Sequence, residues 1–267
     1  MKNRTLLTLL YASALLLLIC SSLLPSNIRP YLSPFSLLLP LLVGLLLFRK
    51  RCGGRIIAFE EKSQKRTIIC YLLFPIILLG IITVSALSTF LFSLIGIEST
   101  TTLSYPLPTA LIFYAAVPAL LEEALYRYLP MLALQDESRT SVLVFSSVAF
   151  ALAHLSLISL PYALFAGVGL FLVNLIGKGP LPSFLLHLTN NVLGVLLLFY
   201  PESTALLVGI VVALASLSVV CAVLLLKRKD ELVDFWHELR ADEPTPLLTP
   251  DLITFAVVTL FLSLIQL

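Results

Sequence analysis

Nine runs of apolar residues, most of them close to twenty long, follow one another along this chain with short polar links between them. They fall at 5–24, 31–48, 67–96, 109–134, 142–160, 161–177, 182–200, 204–226 and 252–267. A helix that crosses the hydrocarbon core of a bilayer needs about 20 such residues. The expected fold is therefore all-α: a polytopic transmembrane helical bundle of about eight or nine spans. Composition agrees. Charged residues make up 12% of the chain and hydrophobic residues 59%, with a mean hydropathy of +1.05. A soluble domain is roughly a quarter charged, so soluble, disordered and collagen-like classes are excluded. A net charge of +2 gives no footprint for nucleic acid, and the expected partners are membrane lipid and a protein or peptide.

Some of the runs carry their own expectations. Only Pro161 separates the fifth from the sixth, which calls for a tight turn. The third is long enough to tilt, and the last is short enough to be re-entrant. The first opens with Lys2 and Arg4, as a signal peptide does. Ile19 before Cys20 is too bulky for a lipoprotein cleavage site, so an uncleaved anchor is expected. Cys20, Cys52, Cys70 and Cys221 form no CxxC pair and imply neither a disulfide framework nor structural zinc. Three stretches are delimited: helices with a basic loop at 1–108, a core at 109–200, and further helices at 201–267.

Charge sets the orientation, because short cytoplasmic links collect Lys and Arg. With the N-terminus inside, the inner segments hold Lys2, Arg4, Arg49, Lys50, Arg51, Arg55, Lys62, Lys65, Arg66, Arg139, Lys178, Lys227, Arg228, Lys229 and Arg240. The outer segments hold Arg29 alone, and Arg127 lies inside a span. The links at 49–66 and 227–250 are then cytoplasmic.

Ionisable groups are costly in hydrocarbon and usually mark function. Among the acids only Glu122 and Glu123 fall well inside a run, joined there by Arg127, His154 and His187 and by the amides Asn174, Asn190 and Asn191. Glu123 and Arg127 stand four apart with the acid nearer the N-terminus, the favourable order for a helical ion pair, and a structural role is expected of them. Their charges cancel, which leaves Glu122 as the odd carboxylate. His187 and Asn191 share one helical face, as do Phe150 and His154. Pro118 takes the backbone donor from Tyr114 and predicts a kink beside the acids. Counting 1.5 Å per residue puts Glu122, His154 and His187 between mid-membrane and the cytoplasmic face. Asn174 and Asn190 are expected to bond between helices, and Trp236 with His237 to lie on a solvated or interfacial helix.

Three fragments carry a resemblance. Glu122-Glu123-Ala124-Leu125-Tyr126-Arg127, Phe150-Ala151-Leu152-Ala153-His154 and His187-Leu188-Thr189-Asn190-Asn191 resemble, in order, the EExxxR, FxxxH and HxxxN motifs of the CAAX-protease and bacteriocin-processing (CPBP, or Abi) family of intramembrane proteases. The resemblance covers about 109–200. It implies a helical-bundle endopeptidase open to the cytoplasm, acting on a membrane-associated and in some cases lipidated protein or on a leader peptide. In it, Glu122 and His154 activate a water, His187 and Asn191 hold the oxyanion, and Glu123, Arg127 and Phe150 support the site.

The residues allow the same chemistry unaided. A carboxylate and a histidine can take a proton from water, and a second histidine with an amide one turn away can face a developing oxyanion. No cofactor is required in this reading. A zinc-dependent version is the alternative, with Glu122, His154 and His187 as ligands and water in the fourth place, although no HExxH signature is present. Two further classes stay open: a transporter using the acids and histidines as a proton relay, which lacks a second half echoing the motifs, and a non-enzymatic membrane immunity or scaffold protein.

Overall fold

The computed structural model describes residues 2–25, 27–51, 64–97, 105–242, 245–246 and 249–265. They form ten helices with no strand among the described residues: α1 (Asn3–Ser22), α2 (Arg29–Arg51), α3 (Gln64–Ser93), α4 (Leu107–Ala133), α5 (Arg139–Leu152), α6 (Leu160–Gly177), α7 (Pro180–Phe199), α8 (Thr204–Leu226), α9 (Lys229–Arg240) and α10 (Pro250–Ile265). Each of the nine apolar runs contributes a helix among the described residues. Seven of the helices, α1 to α4 and α6 to α8, are long and apolar enough to cross a membrane, whereas α5 and α10 are apolar but shorter. The chain is an integral, multi-pass membrane protein. Cys52, Arg55, Lys62 and Pro244 lie outside the described residues.

One expectation changes here. The fifth run does not continue to Pro161 as a helix followed by a tight turn. It stops at Leu152, and residues 153–159 form an irregular link in which Leu155 takes a positive φ of 49°. Pro161 instead lies in the first turn of α6, where a missing N–H costs nothing. Non-helical backbone at this depth is tolerated only against protein or a cavity, and the link faces the cavity described below.

The packing centre is α6. It lies against α3, α5 and α7, while α4 packs on α7 and α2, and α10 closes against α1 and α5. Small residues allow the closest approach. A Cβ on Gly167 of α6 would stand 3.1 Å from the Cα and 3.2 Å from the carbonyl oxygen of Ser147 on α5, the small-residue contact by which membrane helices gain packing energy. The outward surfaces are apolar, as on Leu46, Phe90, Val219 and Phe261.

The two ends of the bundle differ in chemistry. At one end polar groups knit the links together. Asn3 Nδ2 donates to the Ala133 carbonyl, Arg4 bonds Glu137, Ser141 and the Pro246 carbonyl, and Thr5 bonds Asp251. Arg66 pairs with Glu238 at 2.6 Å, and the Arg139 amide donates to Asp242. At the other end aromatic rings collect: Tyr31 contacts Tyr105 and Phe113, Tyr105 contacts Tyr114, and Phe199 contacts Tyr200. Aromatic belts of this kind sit at membrane–water interfaces.

Candidate active site

Helix α4 supplies both acids, and its winding is irregular on each side of them. Residues 111–116 and 124–128 are π-helical, with ordinary α-turns between. The expected kink at Pro118 thus takes the form of a wider turn just before the proline. Such π-turns concentrate at functional sites. Side chains from other helices serve the disturbed carbonyls. Tyr11 Oη donates to Leu125 O at 3.3 Å, Ser146 Oγ donates to Tyr126 O, and Asn191 Nδ2 lies 3.5 Å from Ala115 O. Pro130 has no N–H to offer Tyr126, so the Ser146 hydroxyl meets a carbonyl that would otherwise be buried and short of a donor.

His187 stands between the two acids. Its Nδ1 lies 2.9 Å from Glu123 Oε1, and its Nε2 lies 3.5 Å from Glu122 Oε2. Glu123 and His187 are both buried, while the Glu122 side chain keeps 21% exposure toward the cavity. Glu123 Oε1 also lies 3.7 Å from Arg127 Nε. The expected pair along the helix is present, but Glu123 serves the imidazole at shorter range. This bond is the main feature that the sequence did not reveal, since nothing in the spacing of residues 64 apart announces it.

Arg127 is wholly enclosed. Its guanidinium carbon stands 4.4 Å from the centroid of the Phe150 ring, and none of its nitrogens has a hydrogen-bond partner among the described residues. A cation over an aromatic face is stabilised by the ring quadrupole. Phe150 is therefore the hub of the site: Arg127 covers its face, and the His154 and His187 rings meet it edge-on at 4.9 and 5.6 Å. The supporting role expected of Phe150 has a physical form here.

His154 is two residues past the end of α5 rather than on the helix. Its Nδ1 lies 2.9 Å from the Phe150 carbonyl oxygen. A carbonyl only accepts, so Nδ1 carries a proton, and in the neutral ring Nε2 holds the lone pair. The bond caps a terminal helix carbonyl and fixes the ring. Tyr162, which the sequence reading did not single out, contacts the same ring at 6.3 Å.

Glu122, His154, His187, Asn190 and Asn191 all line one cavity of about 810 Å³, with Tyr126, Phe150 and Tyr162. Asn174 bonds Ser183 between α6 and α7 at 3.5 Å, as expected. Asn190 instead faces the cavity and donates to Asn191 Oδ1 at 3.3 Å. Among the described residues, no group of three His, Cys, Asp or Glu side chains is close enough to hold a metal ion.

The cavity extends well beyond the motif residues. Its walls come from Leu18, Ser33, Ser85, Thr89, Tyr114, Ser159, Leu198 and Leu207 as well as from the motif residues. Leu18, Ser85, Thr89 and Leu198 lie toward the ends of α1, α3 and α7, Ser33, Tyr114 and Leu207 toward the starts of α2, α4 and α8, and Ser159 just before α6. That is the aromatic end. The basic links lie at the opposite end.

A family model described as type II CAAX prenyl endopeptidase Rce1-like matches residues 104–193. No curated protein and no solved structure matches the chain. The matched stretch holds all three motifs and every ionisable residue of the cavity. The likeness to the type II CAAX prenyl endopeptidase Rce1-like family thus rests on residues 104–193, about a third of the chain.

Proposed function

We propose that the protein is an intramembrane endopeptidase that hydrolyses a peptide bond of a membrane-associated protein or peptide, with a water activated at Glu122. The observation that carries this reading is the convergence of Glu122, His154, His187 and Asn191 on one cavity, in the stretch that matches an endopeptidase family. Glu122 is the acid of the pair that keeps access to the cavity. It takes the proton as water attacks the amide carbon and returns it to the leaving amine. His154 presents its unprotonated Nε2 to the same space and helps to hold the water. Peptide hydrolysis also needs donors aimed at the carbonyl oxygen as it gains charge. Asn191 supplies one from Nδ2. His187 has its Nδ1 proton committed to Glu123, so it donates from Nε2 only as an imidazolium, a cation flanked by the two carboxylates. Glu123 and Arg127 hold that arrangement in place.

The reaction so written uses no metal. The basic end is proposed to face the cytoplasm, with the N-terminus, because short cytoplasmic links collect Lys and Arg.

The test compares peptide termini in cells making the wild-type protein and cells making Glu122→Gln, which keeps shape and polarity but cannot take the proton. The expected result is a set of termini present only with the wild type, at equal amounts of inserted protein. Identical sets of termini would overturn the assignment to proteolysis. In isolated membranes the same cleavage should persist in the presence of a chelator. Loss with chelator and return with zinc would replace the metal-free mechanism.

A further inference from the structure

We infer that Asn190 is a positioning residue: it holds the side-chain amide of Asn191 so that one N–H of Asn191 faces the carbonyl oxygen under attack. The inference deepens the protease reading and rests on it for the role of Asn191. The geometry that carries it is that of two neighbouring amides and one backbone carbonyl.

The place of Asn191 is set by the seam between α4 and α7. Val195 of α7 clusters with Ala110 and Ala115 of α4, and Leu188 and Val192 pack against them. Ala115 belongs to the first π-turn. Asn191, next to Val192, brings its Nδ2 to 3.5 Å from Ala115 O. A carbonyl can only accept, so the amide turns its NH2 group, and not its oxygen, toward α4. That leaves Oδ1 on the other side, where Asn190 Nδ2 lies 3.3 Å away. The Asn191 oxygen likewise can only accept. The roles are therefore fixed from one end: Asn190 donates to Asn191, and Asn191 donates to Ala115.

An NH2 group carries two protons. In Asn191 one is directed at Ala115, and the other remains for the cavity that both amides line. The contact with Ala115 is long for a hydrogen bond, so alone it holds the amide weakly. The terminal torsion of an asparagine is broad and roughly two-fold. Held by that contact only, the amide would swing, and half a rotation would turn its oxygen toward the developing oxyanion, replacing attraction by repulsion. The bond from Asn190 removes this freedom before the substrate arrives, which is where a donor of this kind gains its effect. Asn190 thus acts through Asn191 and needs no contact with the reacting atoms.

The test is a double-mutant cycle on Asn190→Ala and Asn191→Ala, at equal amounts of inserted protein. The probe is a peptide spanning a cut whose terminus is absent from Glu122→Gln cells. Asn190→Ala should lower kcat by about tenfold, the worth of one hydrogen bond, with KM little changed. It should lower the rate no further once position 191 is alanine. Asn190→Leu, which fills the space without a donor, should lose as much as Asn190→Ala. A full and independent loss in the double variant, as a direct oxyanion donor would give, or a wild-type rate in Asn190→Leu, would overturn the inference. A second readout needs no cleavage. In purified protein labelled with ¹⁵N at asparagine, the Asn191 amide is the signal pair missing from Asn191→Ala. Its ¹⁵N relaxation should show a rigid group in the wild type and a mobile one in Asn190→Ala. An amide equally rigid in both overturns the inference, whatever the cleavage assay gives. If no terminus depends on Glu122, the protease reading fails, and the relaxation measurement still decides whether Asn190 holds Asn191.

Discussion

Removing the charge of Glu123 should be more damaging to the fold than removing both members of its ion pair. Arg127 has no exposure and Glu123 only 3%, so neither charge can turn to water when its partner is lost. Breaking a buried pair from one side typically costs about 3–5 kcal/mol. That is a large part of the roughly 5–15 kcal/mol that keeps a domain folded, so Glu123→Gln and Arg127→Met should each give little folded protein. The double variant Glu123→Gln/Arg127→Met leaves no orphan charge. It forfeits the guanidinium–Phe150 contact, worth about 0.5–2 kcal/mol, and little more. The assay is a denaturant or thermal titration of purified protein in detergent, run as a double-mutant cycle. A double variant less stable than either single, by the sum of their losses, would refute the claim that the two charges compensate each other. Activity should part from stability in the same series. The amide that replaces the Glu123 carboxylate can still accept a bond from His187 Nδ1 but carries no charge, so the double variant should be folded and slow.

Asn191→Ala removes one donor facing the developing oxyanion and should lower the cleavage rate by about 10²–10³-fold without abolishing it, measured at equal inserted protein. Gly167→Val drives a branched side chain into the Ser147 backbone 3.1 Å away; overpacking of this kind costs about 1–3 kcal/mol, read as a lower melting temperature in detergent. Ser146→Ala leaves the Tyr126 carbonyl without its side-chain donor and should cost about 1–3 kcal/mol, with a matching fall in melting temperature.

The helices and the site residues were legible in the sequence for one reason: hydrocarbon admits few polar groups. Glu122, His154, His187 and Asn191 stand out because almost everything around them is apolar, and the cavity collects all four. Local spacing also predicted the Glu123–Arg127 pair. What spacing could not predict was the partner across the bundle. A pattern of four describes one helix, and the Glu123–His187 bond joins two. The end of α5 at Leu152 was hidden for a related reason, since Ala153 to Leu160 is as apolar as a helix would be. It is the His154 ring, bonding back to Phe150 O, that caps the helix there.

The two wide turns of α4 also set the phase of the helix. Each π-turn takes up about one residue more than an α-turn does, and one residue on a regular helix is worth a rotation of about 100°. Deleting a single residue within 111–116 would therefore leave α4 free to wind regularly. The segment bearing Tyr105 would then keep its phase about the axis relative to Glu122 and Glu123, because the wide turn had already taken up the extra residue. A deletion within 124–128 would be absorbed in the same way, leaving Leu129–Ala133 in phase with the acids. Helix α4 thus works as a shaft with two slip joints, each able to take up one residue, whereas the same deletion in one of its α-helical turns would rotate everything beyond it by about 100°.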